Sequence, residues 1–170
     1  MARFDRSTDN LDNRLSTDEL NDVIQHLIDN DVVFKENLKH RISHPETFKR
    51  PAQEDARVCG VGMSTMCMVA NGNVYPCAGW QRYVCGNLND TSLSEIWNNS
   101  PAINYLRKLR LKDFKQCVGC KDFDYCTMCM SRNSNENPDG NLFDIPEITC
   151  KAAQIHHRLV DSYKERLCGD

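Results

Sequence analysis

The chain has 170 residues, 40% of them hydrophobic and 26% charged, with a net charge of −3, the balance of a soluble globular protein of one domain or one domain plus an appendage. That charge excludes a strong pull toward nucleic acid or an anionic membrane, and no apolar run is long enough to span a bilayer. The first ten residues lack the apolar stretch of a secretory signal. Ten cysteines without an export signal point to a reducing, cytoplasmic compartment, where thiols bind metal or stay free. Five disulfides are the alternative reading of an even count. Aromatic content is only 8%, so the core is thin, and small cores commonly need a staple such as bound metal.

In chain order, Ser16 and Glu19 have capping-box spacing, and Leu20, Val23, Ile24, Leu27 and Ile28 follow at helical intervals. A helix to about Asp29 is expected. A short strand is expected near Val32–Phe34, and the charged stretch from Glu36 to Arg57, broken by Pro45 and Pro51, reads as a connector. Met66–Ala70 and Asn73–Tyr75 flank Asn71-Gly72, the signal of a β-hairpin with a type I′ turn, which would set Cys67 and Cys77 on neighbouring strands. Ser92 and Glu95 offer a second capping box, opening a helix through Trp97. Ser100-Pro101 restarts a helix, with Ser100 as N-cap, Ile103, Leu106, Leu109 and Leu111 as its apolar side, and Arg107, Lys108, Arg110, Lys112 and Lys115 as its basic side. That basic side is either a solvated face or a docking surface for an acidic peptide. From Cys117 to Asn137 the sequence has little periodicity, as a backbone shaped by metal ligation would. A last helix starts at Pro146 and carries Ile148, Ala152, Ile155, Leu159, Tyr163 and Leu167, with Cys150 near its first turn.

Thiolates are soft ligands that suit iron–sulfur clusters and zinc. Cys117-x2-Cys120 and Cys126-x2-Cys129 can each grip one tetrahedral centre. Only five residues separate the pairs, against the roughly 15–20 of a zinc ribbon, and the tight run of a bacterial ferredoxin is absent. One four-cysteine zinc knuckle here would leave Cys59, Cys67, Cys77 and Cys150 unexplained. Together these eight cysteines suffice for two four-cysteine sites. His156 and His157 are adjacent on the last helix and point in different directions. No nucleotide loop is present, and the basic residues lack the interleaved aromatics of a nucleic-acid surface.

The complete spacing, Cys59-x12-Gly72-x4-Cys77, then Cys117-x2-Cys120-x5-Cys126, Cys129 and Cys150, resembles the SPASM domain. That is the C-terminal auxiliary-cluster domain of radical S-adenosylmethionine (SAM) enzymes that mature peptides and proteins. Gly86–Trp97 also looks like the family's stretch between its cysteine groups, and the resemblance runs from about Cys59 to Val160. It implies an α+β domain with a β-hairpin, cysteine-rich loops and flanking helices, and two [4Fe–4S] clusters. By resemblance, Cys59, Cys77 and Cys129 hold the first cluster, with Cys67 as the fourth ligand and Cys85 as its rival, or substrate at an open iron. Cys117, Cys120, Cys126 and Cys150 hold the second. The two residues between Cys126 and Cys129, where the family usually has three, are a departure.

The family's Cys-x3-Cys-x2-Cys loop, which makes the radical, does not occur in these residues. Expected, then, is a chain that cannot cleave SAM alone, is either a truncated gene product or a separately encoded subunit, and works with a radical SAM catalytic domain or subunit on a peptide or protein substrate. The expected organisation is a helical segment and connector over 1–58, matching the end of a radical SAM barrel. The cluster domain follows over 59–160, with a helix end and tail over 161–170. A zinc-stabilised interaction module without redox role is the alternative, and a non-functional remnant is a third reading.

Overall fold

The computed structural model describes residues 9–47 and 54–168. It is a mixed α+β protein, with six α-helices and one three-stranded antiparallel sheet among the described residues. Two compact units form, and neither is continuous along the chain. Among the described residues one comprises 9–12, 54–118 and 128–144; the other comprises 13–47, 119–127 and 145–168. No described helix is long and apolar enough to cross a membrane.

The second unit is a three-helix assembly. Helix α1 (Thr17–Asn30) starts at the expected capping box: Glu19 N–H donates to Ser16 Oγ at 3.2 Å, and Ser16 N–H to Glu19 Oε2 at 2.8 Å. Helix α2 (Val32–Ser43) replaces both the expected strand at 32–34 and the first part of the expected connector. The cause is Asp31, whose carboxylate accepts the Phe34 N–H at 2.8 Å and caps the helix. The β-branched Val32 and Val33 then occupy the first turn and stay exposed, while Leu38 is buried and Phe34 and Ile42 pack beside it. Pro51 lies outside the described residues. Helix α6 (Glu147–Cys168) contributes Ile155, Leu159, Val160 and Tyr163 to a core shared with Ile28 and Leu38. Burial of such side chains stabilises by about 1.5–3 kcal/mol each.

The first unit is built on the hairpin. Strands β1 (Cys67–Met68) and β2 (Asn73–Tyr75) pair with Cys67 opposite Tyr75 and Met68 opposite Val74. This register puts three residues in the connection. Gly72 N–H bonds Val69 O at 2.9 Å, Val69 N–H bonds Asn73 O at 3.1 Å, and Gly72 has φ +86°. The expected two-residue type I′ turn is therefore replaced by a three-residue loop whose last position is the left-handed glycine. A third strand, β3 (Gly86–Asn87), pairs with β2 and was not foreseen, being two residues long without an apolar pattern. It brings Asn87 Oδ1 within 2.6 Å of where a Cβ on Gly72 would sit. Gly72→Ala should thus cost about 1–2 kcal/mol for the left-handed backbone, with displacement of Asn87 on top. A urea midpoint indistinguishable from wild type would contradict this geometry.

Helices α3 (Leu93–Asn99) and α4 (Pro101–Lys108) start as expected, α3 capped by Ser92 accepting the Glu95 N–H at 3.1 Å, but α4 ends at Lys108, so Leu109, Arg110, Leu111, Lys112 and Lys115 lie beyond it. Ser100 precedes α4 but makes no side-chain cap; its buried hydroxyl donates instead to Cys85 O at 2.6 Å, tying the helix to the sheet. Ile103, Leu106, Leu109 and Leu111 are all buried. Much of the basic side is structural: Arg107 donates to Gly62 O at 2.7 Å and covers the Trp97 ring, and Arg110 Nη1 caps the free carbonyls of Arg107 and Leu109. Lys112 pairs with Asp55 at 2.6 Å.

Candidate metal centre

Three of the first cluster's expected ligands come together inside the first unit. Cys59 opens a tight loop in which Gly60 O accepts the N–H groups of Met63 and Ser64, each at 3.0 Å. Thr65 Oγ1 then donates to Pro76 O at 3.2 Å, holding this loop beside the residue before Cys77. Cys77 begins a turn closed by Trp80 N–H to Cys77 O at 3.1 Å, anchored by the fully buried Trp80 ring. Cys129 is the N-cap residue of helix α5 (Met130–Glu136), which docks on that turn through Asn135 Nδ2 to Gly79 O at 2.8 Å. No helix was expected in this stretch.

The Cys77 thiol registers this convergence. Burial pushes its pKa up and the nearby Cys129 and Cys59 thiolates push it further, while hydrogen bonds from Gly79 and Ser131 pull it down. Cys67, half-buried on β1 opposite Tyr75, is not among the groups acting on Cys77. Its rival Cys85 is buried among Val74, Ile96 and Ile103, where desolvation raises its pKa to about 11. That is the environment of a core thiol.

Three ligands expected for the second cluster come together inside the second unit. Phe123 N–H bonds Cys120 O at 3.2 Å and Cys126 N–H bonds Phe123 O at 3.1 Å, so the 120–126 loop folds over the buried Phe123. Cys150 lies in the first turns of α6, and its thiol is pushed up by burial, then by Cys126 and Cys120, and by the carboxylates of Asp122 and Glu147. The helix N-terminus does not outweigh these neighbours. Cys117 is buried in the first unit, with its N–H on Phe114 O at 2.8 Å. The side chain of Cys168 lies outside the described residues.

Sequence reasoning missed the residues that hold the 120–126 loop to α6. His157 Nδ1 lies 2.7 Å from Oδ1 of the buried Asp122, Nε2 lies 3.1 Å from Asp161 Oδ2, and the ring stacks on Tyr125 at 4.2 Å. His156 is also partly buried, edge-on to Tyr125. Burial and then Arg41 lower its pKa, against a hydrogen bond to the Tyr125 backbone and with a further push from His157. A histidine held neutral in the fold stabilises fully above its unfolded pKa of about 6.5 and loses that contribution as pH falls toward the folded value. His156→Gln should therefore flatten the loss of stability between about pH 7.5 and 5.5, measured as urea midpoints. An unchanged slope would contradict a neutral His156.

A thiol crowded by other thiols, as Cys77 is in one set and Cys150 in the other, belongs to a donor set whose repulsion a cationic core relieves, and each set fits an iron–sulfur group in that respect. Among the described residues no group of three or more His, Cys, Asp and Glu side chains could hold a metal ion. A single tetrahedral zinc needs sulfurs about 3.8 Å apart, given Zn–S bonds of about 2.3 Å. A four-iron core asks less proximity, since each cysteine binds its own iron.

Residues 59–130 match the SPASM family model, an iron–sulfur cluster-binding domain. The SPASM match takes in the first thiol set with Cys67, and also Cys117, Cys120 and Cys126; Cys150 lies beyond it, and it is the fold that carries Cys150 to Cys120 and Cys126. No curated protein and no solved structure gives a significant match to the chain.

Proposed function

We propose that this SPASM segment and the helix after it bind two [4Fe–4S] clusters and serve the maturation of a peptide or protein. One cluster takes Cys59, Cys77 and Cys129, with Cys67 as the fourth ligand; the other takes Cys120, Cys126 and Cys150. The observation that carries this reading is that six thiols fall into two groups drawn from distant parts of the chain, Cys59 and Cys129 acting on Cys77, and Cys120 and Cys126 on Cys150. When bound, such clusters supply one-electron transfer or an iron that holds substrate. The chain's own contribution is to fix the loops that carry the sulfurs, with Cys59 and Cys120 exposed and Cys77, Cys126, Cys129 and Cys150 half-buried.

Radical generation falls to a partner under this proposal. These residues contain no Cys-x3-Cys-x2-Cys loop, so a radical SAM catalytic domain or subunit would cleave SAM and act on the peptide. Anaerobic reconstitution with iron and sulfide tests the cluster reading. About eight irons per chain with a reducible spectrum is the expected result for two four-iron clusters. Tight zinc with no such spectrum would instead favour the structural interaction module. Incubation of the loaded chain with SAM and dithionite should release no 5′-deoxyadenosine until a radical-generating partner is added.

A further inference from the structure

Ser131 is placed to act on a sulfur of the first thiol set. It stands two residues past Cys129 on α5 and is 4% exposed, so water does not compete for its hydroxyl. Its Oγ lies 3.1 Å from Cys129 Sγ. A serine hydroxyl offers one proton and two lone pairs, whereas a thiolate bound to iron can only accept. With Cys129 ligated, the one proton shared between these two atoms belongs to Ser131 and is donated to sulfur. Such a bond draws charge from the ligand and favours the reduced, more negative state.

We propose that Ser131 is the positioning residue of the Cys59–Cys77–Cys129 site, donating its hydroxyl proton to a ligand sulfur and raising the reduction potential of the cluster bound there. This rests on the cluster reading above. In the second thiol set, the carboxylates of Asp122 and Glu147 act on Cys150.

The test uses the full chain, reconstituted anaerobically, as wild type, Ser131→Ala and Ser131→Thr. Iron content is measured first, then each cluster's midpoint by redox titration followed by electron paramagnetic resonance. Ser131→Ala should keep its iron and shift one midpoint to more negative potential, lowering the reduced-to-oxidised ratio of that cluster several-fold at the wild-type midpoint. Ser131→Thr, which keeps the hydroxyl, should restore it, and the other midpoint should not move. In the reduced protein an exchangeable-proton coupling, lost in D2O, should be present in wild type and Ser131→Thr. Unchanged midpoints in Ser131→Ala at full iron, or equal shifts of both, would overturn the inference. Should Ser131→Ala fail to load, the coupling in wild type and Ser131→Thr decides: its presence supports the inference and its absence overturns it. A wild-type chain that takes up no iron overturns the cluster reading, and this inference with it, a result separable from the rest by the first measurement.

Discussion

Cys129→Ala and Cys150→Ala should each lose about half of the chain's iron after reconstitution, and different halves. The expectation follows from the two thiol sets: Cys129 acts on Cys77 along with Cys59, whereas Cys150 is acted on by Cys126 and Cys120. Electron paramagnetic resonance of the reduced variants should then show one cluster signal each, and the double variant almost none. Because binding free energy enters the folding balance, each single variant should also melt below wild type. Cys85→Ala is the control and should retain full iron, since its thiol packs in the core rather than with either set. Loss of all iron in either single variant would mean one shared site and would contradict the division.

Phe114→Ala should cost about 3–5 kcal/mol, the range for truncating a fully buried aromatic. The ring is 0% exposed and packs against Phe143 with centroids 5.3 Å apart. Its backbone matters equally: Phe114 N–H bonds Leu111 O at 2.9 Å and its carbonyl takes the Cys117 N–H at 2.8 Å, so the ring fixes the segment that delivers a thiol. Against a total stability of about 5–15 kcal/mol, such a loss leaves little. Urea unfolding of the anaerobically loaded chain measures it, with Phe114→Leu expected to lose less. A cost below about 1 kcal/mol would mean the cavity collapses around the missing ring, contrary to the packing described.

What the sequence made legible had a local physical cause. Ser16 and Glu19 announce α1 because the capping box needs only residues three apart, and Pro101 and Pro146 announce helix starts because their missing N–H groups cost least there. Helix α2 was hidden because Val32 and Val33 favour strand while a single carboxylate, Asp31, decides the matter from outside. Helix α5 was hidden for a different reason. Apart from Met130 its buried face is polar, with Ser131, Asn133 and Asn135 spending their hydrogen bonds on the Cys129 sulfur and on the carbonyls of Leu142 and Gly79, so no apolar period exists to read. The candidate ligands were legible as a spacing, but their sorting into sets came only from resemblance. Spacing says nothing of which loops fold back on one another, and Asp122, His157 and Ser131 carry no signal until the loops are closed.

Cys85, sealed in the sheet's core with its proton held to about pH 11, gives this chain an internal gauge of its own integrity. An alkylating reagent should meet that sulfur more slowly than the exposed thiols of Cys59 and Cys120. The pace of its labelling therefore times the opening of the packing around Cys85, and does so without any dye, tag or engineered probe.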